Sequence, residues 1–480
     1  MESIAHQTEK VRLTLYFVQP KVIALTSHSY YSFSMSKNYY DIVIIGGGAS
    51  GLMLAANLEL NGASGVILEG TSNVGTKLLM SGGGHCNITH GGSIKDFLNA
   101  YGDAGQSFRK CLYRHSNLDL VRWFDSHGLK LADESGVSIE VSGMSGSASA
   151  LEGLGRIFPA SMKARDVLDL LLTESKSNGW EIRTNAKVCK LSKFADAYNG
   201  SPDANRDPVD VANDERLDGN LDDGDVSCDS VYQWSVVTVS GEVLTARNVV
   251  IATGGVTYPQ TGSDGSMLTL MKNLGVEVTD PRPALAPVFV KDYPYSELSG
   301  ISIADVEVTA FGSDAAHTCK GKAARMTGDL LFTHDGFSGP VILSISRYAE
   351  PGRIIRIQYR KEKQDLPKRM QRILEDRARG SSGDIRTSVL AALLDHDDFV
   401  VSEIDKRGMV TAGGIALSNI ETATMSIKQK HPHGADDDLL EGLYAIGEAI
   451  DADGITGGYN LQLCWSTACT AAESLQKYFS

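Results

Sequence analysis

The stretch Tyr40-Asp-Ile-Val-Ile-Ile-Gly-Gly-Gly-Ala-Ser-Gly51, followed by a lone acid at Glu69, constrains this chain more than any other. Ile42–Ile45 is short, apolar and β-branched, which predicts a buried parallel strand, and Leu52–Leu60 predicts a helix. Between them Gly46, Gly48 and Gly51 fit G-x-G-x-x-G in the strand-then-helix context that gives the pattern its meaning. Gly46 permits the tight turn, Gly48 lets backbone approach a pyrophosphate, and Gly51 lets helix and strand pack closely. The helix N-terminus offers N–H groups and a positive dipole end to phosphates. Val66-Ile-Leu68 predicts a second strand, with Glu69 at its end placed to accept hydrogen bonds from a ribose. This unit predicts a dinucleotide site and leaves the dinucleotide open.

A chain of 480 residues exceeds one small core, so two or three domains are expected. No run approaches the ~20 apolar residues of a membrane span. The net charge of −14 argues against nucleic acid or anionic lipid as the main partner. Much of that charge is local. Asp196 to Asp229 holds eleven acids against Arg206 and Arg216, and 195–230 reads as a disordered acidic insertion. The seven cysteines are scattered and show no metal-ligand spacing, which suits free thiols in a reducing compartment and predicts no metal site. A cytoplasmic location is expected. Residues 1–35 read as a disordered extension, because Met35 directly precedes the first strand; organellar targeting by 1–34 stays open.

The fold class is α/β, with a discontinuous Rossmann-type domain. Its two parts are 36–282 and 405–480. Between them, 284–330 alternates in the manner of strands and predicts a β-rich insertion over 283–360, and 361–404 predicts a small helical one. Pro281, Pro283 and Pro287 mark the crossing. Within the first part, 108–128 and 163–178 have helical periodicity, while Trp180–Leu191, Tyr232–Ser240, Val243–Ala246 and Val249–Ile251 read as strands.

Several separated segments converge on one long ligand. Ala252-Thr253-Gly254-Gly255 ends an apolar strand and is a second close-approach site. Another strand ends in Gly447-Glu448, where an acid reaches the ribityl or pyrophosphate part of a flavin dinucleotide. Gly457 and Gly458 open the last helix and aim N–H groups at the edge of the flavin where negative charge gathers on reduction. The expected cofactor is FAD.

Together with Gly75–Asn87, Gly155-Arg-Ile-Phe-Pro159, Pro283–Pro287, Phe332–Pro340, Val410–Ile415 and Gly442–Gln462, the opening motif resembles a family of bacterial FAD-dependent oxidoreductases, the HI-0933-like flavoproteins. That family includes aminoacetone oxidases and 3-dehydro-bile-acid reductases. The resemblance spans nearly all of 38–475 and implies the same Rossmann architecture, interrupted by a β-barrel-like domain and a small helical domain. It places Gly46, Gly48, Ala49, Ser50 and Gly51 on the pyrophosphate and Glu69, with Gly70, at the adenosine ribose. Thr76, Lys77, Ser81, Gly82 and Gly83 line the path to the flavin, with Cys86 and Asn87 near it. Val188 meets the adenine, and Ala252, Thr253 and Gly254 close over the dinucleotide. Gly447, Glu448, Gly457, Gly458, Tyr459, Asn460 and Leu461 sit at the ribityl chain and ring. One position departs from the family: His85 stands where its members carry Arg before Cys-Asn.

The candidate catalytic acids are His85 and Tyr459. His334, in Phe-Thr-His-Asp-Gly, reads first as a turn residue, and Lys77 as electrostatic. Cys86 lacks a second cysteine a few residues on, which disfavours thiol–disulfide chemistry. The expected activity is oxidoreduction of a small organic molecule, in its specific form NAD(P)H-supported reduction of an enone-type C=C bond. NAD(P)H is a candidate donor implied by the resemblance alone. A flavin oxidase of a small amine or amino-ketone and a non-catalytic redox switch are the alternatives. Flavin-dependent RNA modification is disfavoured by the acidic balance. Oligomeric state is not legible.

Overall fold

In a computed structural model of the protein the first strand forms as Tyr39–Ile45, and its buried Ile42–Ile45 run explains its place. Val43 pairs in parallel with Val66 on one side and Val249 on the other, so both edges of the strand are covered. The structure describes residues 38–140, 151–193, 234–311, 324–359, 367, 368, 370, 372, 397–405, 408, 410–429, 438–455 and 457–479. The extension 1–35, the acidic insertion 195–230 and most of the expected helical insertion lie outside them.

Across the main sheet the order is Ile420–Glu421, Ser426–Gln429, Asp438–Ala445, Val243–Ile251, Tyr39–Ile45, Gly65–Leu68 and Glu181–Arg183. Val188–Lys193 and Trp234–Thr238 join through an antiparallel pairing to Val243–Ile251. That last strand unites the two short runs, Val243–Ala246 and Val249–Ile251, that the sequence suggested separately. The sheet takes its central partner Asp438–Ala445 from the far end of the chain, and the C-terminal helix Gly457–Gln476 packs on the helix Ala49–Asn57. Among the described residues no helix is long and apolar enough to cross a membrane.

The chain leaves this domain along Val278–Ala284 and returns along Val410–Ile415, an antiparallel two-stranded crossover. Pro281 and Pro283 sit on it, with a register shift between Thr279 and Arg282, where an open ribbon tolerates a missing donor. The crossover leads to a closed six-stranded barrel: Val288–Val290, Gly336–Ser338, Ala324–Phe332, Ser302–Ala310, Ile354–Tyr359 and Asp397–Ile404. Its core, with Phe332, Phe337, Val308, Ile357 and Val401, is separate from that of the nucleotide domain. Asp397–Ile404 corrects the expected boundary, since 361–404 was assigned to a helical insertion. Phe399 and Val401 point inward from this strand, but its outward Asp398, Ser402 and Glu403 dilute the pattern. Barrel closure decides the matter, because the strand pairs with both Val288–Val290 and Ile354–Tyr359.

Candidate cofactor and active site

A cavity of about 1160 Å³ opens where the parallel strands end, at Ile45, Leu68 and Ala252. This is the edge at which open α/β sheets bind ligands. The three fingerprint glycines meet different demands there. A Cβ on Gly46, whose φ is +112°, would sit 2.4 Å from the Ala252 carbonyl oxygen. A Cβ on Gly51 would sit 2.1 Å from the Gly46 oxygen, so Gly51 serves helix–strand packing and does not line the cavity. Gly48 has nothing within 4 Å of a built Cβ and borders the cavity. The helix Ala49–Asn57 starts at Gly48 without a side-chain cap, so its first-turn N–H groups are available beside the cavity-lining Ala49 and Ser50. On the opposite wall the Thr253 hydroxyl is buried without a partner. A long polar dinucleotide fits these features.

The two predicted acids have structural work as well. Glu69 accepts from the Gly47 N–H (3.0 Å), the Thr71 N–H (2.7 Å) and the Thr71 hydroxyl (2.8 Å), which braces the glycine turn. Glu448 Oε2 receives Lys77 Nζ at 2.7 Å, while its Oε1 accepts from the Thr411 N–H at 2.6 Å and the Thr257 hydroxyl at 3.2 Å. Lys77 also donates to Thr257 at 2.7 Å. One carboxylate therefore joins the cavity wall to the crossover strand.

Gly70, Thr76, Ser81, Gly82, Asn87, Val188, Ala252, Gly254, Asn460 and Leu461 line the cavity, as does His85. His85 Nδ1 lies 2.9 Å from the Met162 carbonyl. A carbonyl only accepts, so Nδ1 carries the hydrogen, and Nε2 donates a proton only from the imidazolium form. Gly83, Cys86, Gly447, Gly458 and Tyr459 do not line the cavity. Burial pushes the Cys86 thiol up to about 12, so it stays protonated. A Cβ on Gly458 would meet His90 at 2.5 Å and Asn87 at 2.8 Å, so this glycine packs against side chains. Tyr459, expected at the reacting end, lies behind it: its ring stacks on His90 with centroids 4.5 Å apart and planes 4° apart. His334 is exposed in the turn before Gly336–Ser338, and its carbonyl accepts from Ser296.

His90, unlike Tyr459, lines the cavity. It lies on the strand Thr89–His90, in register with Arg156 of Arg156–Pro159. Burial, with the Arg156 charge adding and Glu134 opposing, pushes its pKa down to about 4. An unfolded histidine titrates near 6.5, so the unfolded chain takes the proton first. Stability from this group is complete above about pH 6.5 and is lost as pH falls towards about 4. Denaturant unfolding at two pH values is expected to show a loss of roughly 2–3 kcal/mol from this group, absent in His90→Gln.

Two further groups of residues complete the cavity. The loop from Tyr258 to Met267 lines the cavity beside Glu69 and Val188; its Gly262 and Gly265, both at positive φ, were the available signal. Elsewhere on the cavity, Phe158, Met162, Leu285, Pro340, Leu343, Val410 and Ile455 form an apolar wall. The Lys and Arg side chains on the cavity are each matched by a carboxylate that also lines it: Lys77 with Glu448 (2.7 Å), Arg156 with Glu134 (2.7 Å) and Lys187 with Asp264 (2.5 Å).

The model of the HI0933-like protein Rossmann domain matches residues 40–206 and 223–474. The chain belongs to the HI0933-like family. It is an FAD-dependent oxidoreductase. A ribosomal RNA dihydrouridine synthase of Haemophilus influenzae is 26% identical over 473 residues, spanning 92% of this chain and 99% of that protein. A 3-dehydro-bile acid delta(4,6)-reductase of Clostridium scindens is 25% identical over 466 residues, spanning 90% and 98%. Among solved structures, 3-ketosteroid-delta4-(5alpha)-dehydrogenase from Rhodococcus jostii RHA1 is similar with a TM-score of 0.44 and 14% identity, covering 92% of this chain and 99% of that one.

Proposed function

We propose that this member of the family reduces a C=C bond conjugated to a carbonyl in a small, uncharged organic molecule, with NAD(P)H as electron source. The carrying observation is the make-up of the cavity: an apolar wall, read here as the reacting end, and lining cations that are each already paired with a carboxylate. Both relatives' names agree with the bond type. Dihydrouridine differs from uridine by one reduced C=C bond next to a carbonyl, and a delta(4,6)-reductase of a 3-dehydro-bile acid acts on double bonds conjugated to the ketone.

Bound FAD supplies the hydride; the protein supplies binding, orientation and exclusion of water. In this reading Gly48 and the first turn of Ala49–Asn57 hold the pyrophosphate, and Glu69 holds the ribose near Gly70 and Val188. Lys77 and Glu448 stand at the ribityl chain. Leu285, Leu343 and Ile455 seat the substrate's carbon skeleton. His90, neutral at physiological pH, presents an imidazole edge to the carbonyl, and His85 is the donor of the balancing proton.

Uridine within RNA is the second reading, favoured by the dihydrouridine synthase relatives. RNA binding draws on unpaired Lys and Arg at phosphates, and those on the cavity are engaged. Anaerobic mixing of the yellow protein with NADPH or NADH separates the cases. The proposal expects rapid bleaching, then recovery of colour on adding cyclohexenone. Recovery with a uridine-containing RNA alone favours the second reading. Recovery only with oxygen points to the oxidase and overturns both.

A further inference from the structure

A contact deep between the barrel and the nucleotide domain is not used by the chemistry above. The short helix Pro340–Ile345 of the barrel segment contributes Pro340, Leu343 and Ser344 to the reacting end of the cavity, and the turn Ser346–Tyr348 follows it. Facing it is the loop before the C-terminal helix, which contributes Ile455. Two contacts join these segments. The Ser344 hydroxyl donates to the Ile455 carbonyl at 3.3 Å, at the cavity wall. Further in, Arg347 Nη2 donates to Asp453 Oδ1 at 2.7 Å, with the two side chains only 8% and 5% exposed.

The turn is also tied to the crossover. Arg282 donates to the Arg347 carbonyl at 2.7 Å, and the Ala286 N–H donates to the Ser346 hydroxyl at 3.2 Å. Barrel, crossover and nucleotide domain therefore meet at one residue. We propose that Arg347 and Asp453 form a positioning pair, which holds the barrel helix Pro340–Ile345 against the loop at Ile455 and so sets the width of the reacting end. This rests on reading that end as the substrate site.

The pair is not a saturated ion pair that would hold its place regardless. Arg347 Nη1 and Asp453 Oδ2 are both buried without partners, so the pair itself is held by one 2.7 Å hydrogen bond, beside the longer Ser344–Ile455 contact. Burial, with Asp451 and Glu448 adding, pushes the Asp453 carboxyl up to about 6, against the Arg347 and Arg282 charges. Removing Arg347 alone leaves an unpaired acid in a dry site and is expected to weaken folding. The informative protein is the double variant Arg347→Met with Asp453→Asn, loaded with FAD, which removes both charges together.

Hydrogen–deuterium exchange of the flavin-loaded protein is expected to rise about tenfold in 340–348 and 451–456 of the double variant, with Tyr39–Ile45 unchanged. With cyclohexenone as probe, KM is expected to rise about tenfold while flavin content stays equal to wild type, as a misplaced wall weakens substrate seating. A folded, flavin-loaded double variant with wild-type exchange in both segments overturns the proposal. Altered exchange in the variant, together with a wild type that never reduces the probe, keeps the positioning pair and rejects the substrate reading instead.

Discussion

Glu448→Ala is expected to yield a nearly colourless protein. The substitution strips Lys77 of its carboxylate and the Thr411 N–H of its acceptor, and it removes a partner of Thr257. An amide left without an acceptor and a half-buried ammonium left without its counter-ion together cost roughly 2–4 kcal/mol. The loss falls on the wall proposed for the ribityl chain, so flavin affinity is expected to drop by roughly 30- to 700-fold, since each 1.4 kcal/mol is tenfold. Glu448→Gln keeps an acceptor for Thr411 and should fall between the two. The ratio of flavin to protein absorbance after gel filtration measures the effect. Full flavin content in the alanine variant removes Glu448 from the cofactor site.

Gly46→Ala is expected to be severely damaging, because it combines a backbone clash with a positive φ. The added carbon would meet the Ala252 carbonyl oxygen at 2.4 Å and its carbon at 2.7 Å, and φ there is +112°. Neither neighbour is a flexible side-chain end. Both belong to the strand end that forms the cavity's opposite wall, so relief must come from parting the two central strands. Backbone strain and overpacking together suggest a loss of about 3 kcal/mol or more, with flavin binding abolished. Gly48→Ala is the matched control, because nothing lies within 4 Å of its Cβ. It should fold as well as wild type yet bind flavin more weakly, since its methyl points into space proposed for the pyrophosphate. Thermal unfolding of the two flavin-free variants separates the effects; equal unfolding temperatures would remove the distinction drawn between these glycines.

The nucleotide cradle was legible because its signals are local. A β-branched run, glycines at fixed spacing and an acid after the next strand need no knowledge of distant residues, and Gly46, Gly48 and Glu69 lie where that grammar puts them. The reacting end has no such grammar. Leu285, the helix residues Pro340 and Ser344, and Ile455 come from three separated segments, and although Leu285, Pro340 and Ile455 lie in motifs quoted above, nothing local marks them as neighbours of one another. His90 was passed over for a similar reason, since what brings it forward is its stacking on Tyr459, a residue 369 positions away. Barrel closure likewise reassigns Asp397–Ile404 through pairing with strands that its own residues do not announce.

The order of strands in the main sheet has a consequence for how the protein is made. Val243–Ile251 is flanked on one side by Tyr39–Ile45 and on the other by Asp438–Ala445. On a ribosome adding roughly 5–20 residues per second, the second neighbour emerges about 10–40 s after the first strand is ready to receive it. Through that interval an apolar edge stands open while the barrel, whose strands are closer together along the chain, is free to close. A nascent chain stalled before Asp438 would therefore carry a finished barrel on a half-built sheet, the species that chaperones would be expected to hold and from which aggregation would start.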